Sequence, residues 1–141
     1  MTETPPRIVL DTNVLYAGLY SASGKSYQLL KAIFEGKVRI ALSTPLLFEY
    51  EDVLKRNQAV LSLSDAEVDV VLDNLCALAD FQAVYFLWRP CLPDAHDDMV
   101  LELAVAAQVP RIVSFNAKDF RPASRFGIEV VTPKFMLEEL Q

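Results

Sequence analysis

Aspartates crowd one stretch of this chain, and their setting points to metal chemistry. Asp94, Asp97 and Asp98 fall in PDAHDD, immediately before the most apolar run of the sequence, MVLELAVAA. Acids at a helix N-terminus gain a few tenths to about 1 kcal/mol from the helix dipole. Three so close together exceed what capping needs, and their mutual repulsion offsets the gain unless a cation intervenes. Asp11 directly follows the strand-like run RIVL, which puts its carboxylate at the C-terminal end of a strand; a plain helix N-cap is the competing reading. Asn116 and Asp119 follow a second such run, RIVSF. Glu49 lies beside a helical stripe of Leu46, Leu47, Tyr50, Val53 and Leu54, where a partly buried acid and a solvated helix face are both open. Hard oxygen ligands of this kind suit Mg²⁺ or Mn²⁺. Paired ions ~3.5–4 Å apart can activate a water and stabilise both oxygens of an in-line phosphoryl displacement.

Such residues need a scaffold that brings them to one edge. Residues 7–10 read as a buried strand, after which Asp11 or Thr12 caps a short helix through Tyr20. Residues 21–24 break it, and 25–35 have helical spacing that Gly36 stops. Residues 38–42 predict a second strand, and Thr44 as cap with Pro45 behind it opens a helix through about Arg56. Ser64-Asp-Ala-Glu67 is a capping box, followed by Val68, Val71, Leu72 and Leu75 on one helix face. Residues 83–87 (AVYFL) predict a third strand, Asp97 or Asp98 opens a deeply buried helix through Ala107, and 111–115 form a fourth strand. Residues 129–131 give a short fifth strand, and Pro133 starts a closing helix to Leu140. Strands alternating with helices imply an α/β fold whose parallel sheet is covered on both faces. Function in such sheets sits beyond the carboxyl ends of the strands, where the strand order switches. Asp11, the 94–98 cluster and the Asn116/Asp119 pair all belong to that edge.

The 141 residues are read as one domain, 1–141, large enough to bury most apolar side chains without disulfides or a structural metal. Hydrophobic residues make up 52%, yet no run is long enough for a membrane span. The polar N-terminus shows no signal-peptide pattern, so a cytoplasmic protein without membrane contact is expected. Cys76 and Cys91 lack a CxxC partner and there is one histidine, which favours buried free thiols over a disulfide or zinc site. Thirteen basic and nineteen acidic residues give a net charge of −6, which by itself argues against a nucleic-acid partner. The objection weakens if four of the acids form a metal site, because bound divalent ions make that patch locally positive.

IVLDTNVL at 8–15, PLLFEYEDVL around Glu49, DAHDDMVLELAVAA at 94–107 and IVSFNAKDF at 112–120 resemble, in order and spacing, the four motifs of PIN-domain ribonucleases. Within that family the chain is most similar to the VapC-like toxins of toxin–antitoxin pairs, and the resemblance spans roughly residues 7–135. It implies a three-layer α/β/α sandwich with a central, mostly parallel sheet of about five strands. It also implies a Mg²⁺- or Mn²⁺-dependent endoribonuclease that hydrolyses RNA, pairs with a cognate antitoxin and forms homodimers. The family's first catalytic Asp falls on Asp11, its supporting Asn on Asn13 and its helical Glu on Glu49. The third acid falls on Asp97, since the alanine seven residues on is met by Ala104; Asp98 competes for the role, and Asp94 is a supporting acid. Asp11 and Asp97 are the implied metal ligands. Many relatives carry Asp where this chain has Asn116, while others share its N-x-x-D-F form, so Asp119 is the implied fourth acid and Asn116 a supporting residue. Two alternatives stay open: a PIN-fold binding domain with little catalysis, and another metal-dependent phosphohydrolase.

Other suggestive residues read more plainly. GLYSASGKS at 18–26 has five residues between its glycines where a phosphate loop has four, and it follows a helix instead of a strand. DTN lacks the second carboxylate of Asp-x-Asp phosphatases. His96 reads as a solvated neighbour of the acids, and Trp88 and Arg89 as core or partner contacts before base-stacking groups. Lys25, Lys55 and Arg56 are candidates for phosphate contact that no spacing supports.

Overall fold

Ile8, Val9 and Leu10 are all fully buried, as a central strand covered on both faces requires. They belong to β1 (Arg7–Leu10), which pairs in parallel with β2 (Arg39–Leu42) on one side and β4 (Arg111–Val113) on the other. β3 (Asp80–Phe81) and β5 (Glu129–Val131) extend the two sides, also in parallel, to give the order β3-β2-β1-β4-β5. The structure is a computed structural model that describes residues 4–84 and 95–140; the side chains of residues 95–98 and of residue 119 are outside that set. Helices α1 (Thr12–Tyr20), α2 (Lys25–Phe34), α3 (Thr44–Arg56), α4 (Gln58–Leu61), α5 (Asp65–Leu78), α6 (Ala95–Ala106) and α7 (Pro133–Glu139) complete the expected three-layer α/β/α sandwich.

The chain builds β1, β2 and β3 outward on one side, then crosses to lay β4 and β5 on the other. The strand order therefore reverses between β1 and β4. Asp11 follows one of these strands and Ser114 the other, so the two residues flank the switch point.

Local signals account for most boundaries. The Ser64/Glu67 capping box is present in full at the start of α5. Gly36, at φ 78°, ends α2 in a left-handed conformation that a side chain would strain. Gly18 lets α1 and α2 pack closely, because a Cβ there would lie 2.4 Å from Leu30 Cδ1.

Three expectations need correction. The strand paired with β2 is Asp80–Phe81, before the apolar run 83–87; Ala83 and Val84 are not in a strand, and 85–87 lie outside the described residues. This edge strand is held by charge, with the Arg39 guanidinium on both Asp80 carboxylate oxygens at 3.1 and 2.6 Å, so apolar patterning misplaces it. The cap of α3 is Ser43, whose hydroxyl accepts from Leu46 N at 3.3 Å, one residue before Thr44. The helix expected to open at Asp97 or Asp98 begins at Ala95, which moves both acids inside its first turn or just beyond. As expected, the described part of α6 is deeply buried, with Val100, Leu101, Glu102, Leu103 and Ala104 each at most 4% exposed.

Cys76 is a free, half-buried thiol; Cys91 lies outside the described residues. Among the described residues no helix is long and apolar enough to cross a membrane.

Candidate active site

Asp11 leaves β1 with extended backbone and caps α1, its Oδ1 accepting from Thr12 N at 2.8 Å. Only 7% exposed, it would be a costly place for an isolated carboxylate. A second donor stabilises it: the fully buried Ser114 hydroxyl, just past β4, gives its proton to Asp11 Oδ2 at 2.6 Å. The backbone closes the same seam, with Asp11 N donating to Val113 O at 3.0 Å. N-capping and a strand-end carboxylate are therefore two aspects of one arrangement.

Ser114 also orders the loop after β4. Its Oγ accepts from Asn116 N at 3.0 Å, pinning the start of the turn that leads into a 3-10 helix (Ala117–Phe126). Asn116 is exposed and its side chain makes no capping hydrogen bond. Position 119 lies three residues on, about one 3-10 turn away, while the Asp119 side chain lies outside the described residues.

From the other side, α3 starts directly after β2 and so begins at the same sheet edge. Its Tyr50 is fully buried and donates its hydroxyl proton to the carbonyl of Leu10, the residue before Asp11. Burial raises the Tyr50 pKa, and the nearby Asp11 carboxylate raises it further, so the phenol stays a neutral donor. Glu49, its neighbour on α3, is half-buried and engaged. Ser114 and Tyr50 were not anticipated as site residues. A small polar residue after a buried strand, and a tyrosine within an otherwise aliphatic stripe, were the only signals available.

The position of α6 follows from its far end. The guanidinium of Arg7, the first residue of β1, donates to the carbonyl of Ala107, which fixes the end of α6 at the amino edge of the sheet. A 12-residue helix rises about 18 Å, enough to carry its start to the carboxyl edge, where Asp11 lies. The side chains of Asp97 and Asp98, and all of Asp94, are outside the described residues. Glu102, buried and engaged on α6, is an acid that patterning alone did not single out. Among the described residues no three His, Cys, Asp or Glu side chains gather to hold a metal.

A family model of the PIN domain matches residues 7–118, from β1 through α3, α6 and β4 to the start of the 3-10 segment, and ends one residue before Asp119. The chain belongs to the PIN domain family. Members are generally nucleases, and those nucleases generally use divalent metal. Among solved structures the PIN domain is similar to VapBC2 from Rickettsia felis, solved bound to a DNA fragment from its promoter. The TM-score is 0.62 at 14% identity, covering 89% of this chain and 98% of that one. At that identity the likeness is one of fold. No curated protein is significantly similar in sequence.

The residues present suit a divalent cation. Besides the hard oxygen of Asp11, the Oδ1 of Asn13 is buried and has no hydrogen-bond partner among the described residues. A buried acceptor left in that state costs about 1–3 kcal/mol. A water held by a cation at the Asp11 carboxylate is a donor of the kind it lacks.

Proposed function

We propose that this PIN domain is a metal-dependent endoribonuclease, the toxin of a toxin–antitoxin pair. The observation that carries the reading is the buried Asp11 carboxylate at the switch point, held from both sides by Thr12 N and Ser114 Oγ. Asp11 and Asp97 would hold Mg²⁺ or Mn²⁺, with Glu49 and Asp119 completing the catalytic acids and Asn13, Asp94, Asp98 and Asn116 supporting them. A divalent ion bound there supplies Lewis acidity for the attack of water on an RNA phosphodiester. The products are one phosphate-terminated and one hydroxyl-terminated fragment.

The chain's own residues supply position. Ser114 and Thr12 orient Asp11 through one oxygen each, and the Tyr50 phenol, kept neutral, fixes the strand end on which Asp11 stands. Asn13 Oδ1 would accept from a bound water, and Asn116, pinned by Ser114, would steady Asp119 or a further water. The likeness to VapBC2 supports an antitoxin as protein partner. A homodimer and a cytoplasmic location complete the reading.

The decisive experiment incubates the protein with a mixed RNA pool in Mg²⁺, Mn²⁺ or EDTA, beside Asp11→Asn. Cleavage that needs metal and vanishes in the variant is the expected result. Intact RNA in every metal would replace this reading with that of a non-catalytic binding domain.

A further inference from the structure

A cleft of about 410 Å³ opens beside Asp11 and does not include it. Tyr16, Tyr20, Lys25, Ser26, Phe115 and Lys134 line it, drawn from α1, the start of α2, the loop after β4 and the start of α7. Phe115 immediately follows Ser114, and Tyr16 is five residues, roughly 8 Å of helix rise, beyond Asp11. The GLYSASGKS stretch, which fails as a phosphate loop, supplies Tyr20, Ser21, Gly24, Lys25 and Ser26 to this wall.

Three features specify an occupant. Tyr20 and Phe115 are large rings more than half exposed, and Tyr16 stacks on Tyr20 with centroids 6.0 Å apart. Lys25 and Lys134 are exposed, and among the described residues they have no ion-pair partner and no acid lines the cleft, although the chain carries a net charge of −6. Ser26, only 5% exposed, has a hydroxyl without a hydrogen-bond partner among the described residues; it stands at the first turn of α2, whose cap Gly24 offers no side chain. Apolar ring faces, cations, an unused hydroxyl and uncapped helix amides match a base attached to a phosphate.

We propose that the cleft holds an unpaired nucleotide of the RNA strand, its base against the aromatic rings and its phosphate toward the lysines and the start of α2. The proposal rests on the nuclease reading and adds to it a subsite beside the scissile bond. Bases stacked within an A-form duplex cannot reach the rings, so duplex RNA is the competitor that tests the subsite. The volume lies in the range of small-ligand sites, roughly 300–1,000 Å³.

The test is fluorescence anisotropy of a labelled, mixed-sequence single-stranded RNA oligonucleotide in EDTA, so that binding is read without cleavage. Tyr20→Ala and Phe115→Ala should each weaken binding about tenfold. Lys25→Gln and Lys134→Gln should lower both affinity and its salt dependence. Duplex RNA should compete poorly. All four side chains are exposed, and unchanged melting curves would show that the variants fold. Wild-type affinity in the Tyr20→Ala/Phe115→Ala double variant, no binding by the native protein, or equal competition by duplex overturns the proposal. So does a double variant that changes only the oligomeric state, which would make the cleft a protein interface. Binding lost on cleft mutation, with no cleavage in any metal, upholds the subsite and rejects the nuclease; metal-dependent cleavage with affinity insensitive to the cleft does the reverse.

Discussion

Ser114 and Asp11, 103 residues apart in sequence, share a 2.6 Å hydrogen bond across the seam between β4 and β1. The serine hydroxyl donates to the carboxylate and accepts from Asn116 N, so one buried side chain ties the strand-end acid to the loop that leads to Asp119. Ser114→Ala removes both contacts. The loss should cost about 1–3 kcal/mol, since it removes a donor from a buried carboxylate and the acceptor of the Asn116 N–H. Urea unfolding measures the cost, and RNA cleavage should fall several-fold, short of the loss in Asp11→Asn. Unchanged stability would mean that water replaces the hydroxyl.

Asp11→Asn and Asp97→Asn should each abolish cleavage while the protein stays folded. Millimolar Mg²⁺ or Mn²⁺ should raise the melting temperature of the native protein, because an ion that binds only the folded state stabilises it by mass action. That shift should shrink in Asp11→Asn. Normal cleavage by Asp97→Asn together with its loss in Asp98→Asn would reassign the metal ligand to Asp98.

Tyr50→Phe deletes one buried hydroxyl and leaves the ring packing nearly intact. The Leu10 carbonyl loses its donor, at a cost of about 1–2 kcal/mol. Cleavage should fall as well, since Asp11 stands on the same strand end. An equally stable variant with full activity would show that the phenol merely fills space.

The roles of Asn116 and Asp119 separate by charge. A neutral amide is a poor Mg²⁺ ligand beside carboxylates, so Asp119→Asn should cut cleavage at least about tenfold and weaken the metal-induced melting shift. Asn116→Ala should cost less, and Asn116→Asp should be tolerated. Full activity in Asp119→Asn would show that the site runs on three acids.

At the far edge, hydrogen bonds from Arg39, with Arg7 adding its charge, hold the Asp80 carboxyl below the usual carboxylate range. A folded-state pKa lowered in this way contributes stability that is present above the unfolded value of about 3.9 and is lost as pH falls through the folded one. The melting-temperature difference between native protein and Asp80→Asn should therefore be present at pH 7 and close as the pH falls through the lowered folded-state value. It should be small, as for any surface ion pair. A difference that persists at low pH would assign the effect to packing of β3.

What the sequence determined by itself is local. The run RIVL followed by Asp11 is a strand and its end whatever surrounds it, because β-branched burial and the cap are decided within a few consecutive residues. Ser64 and Glu67 specify their helix start for the same reason, and the β/α alternation was enough to imply a parallel sheet. Tertiary structure alone decided who meets whom. Ser114 reaches Asp11 only because β4 is laid against β1, and Tyr50 points beneath the site only because α3 descends from β2. β3 is fastened by an Arg39–Asp80 pair that spans 41 residues and leaves no mark in the hydropathy pattern. The aromatic cleft draws on four separate elements, so the stretch at 18–26 becomes a cleft wall only when Phe115 and Lys134 fold against it. Backbone preference is a short-range property, whereas a site is made of side chains that the strand order brings together.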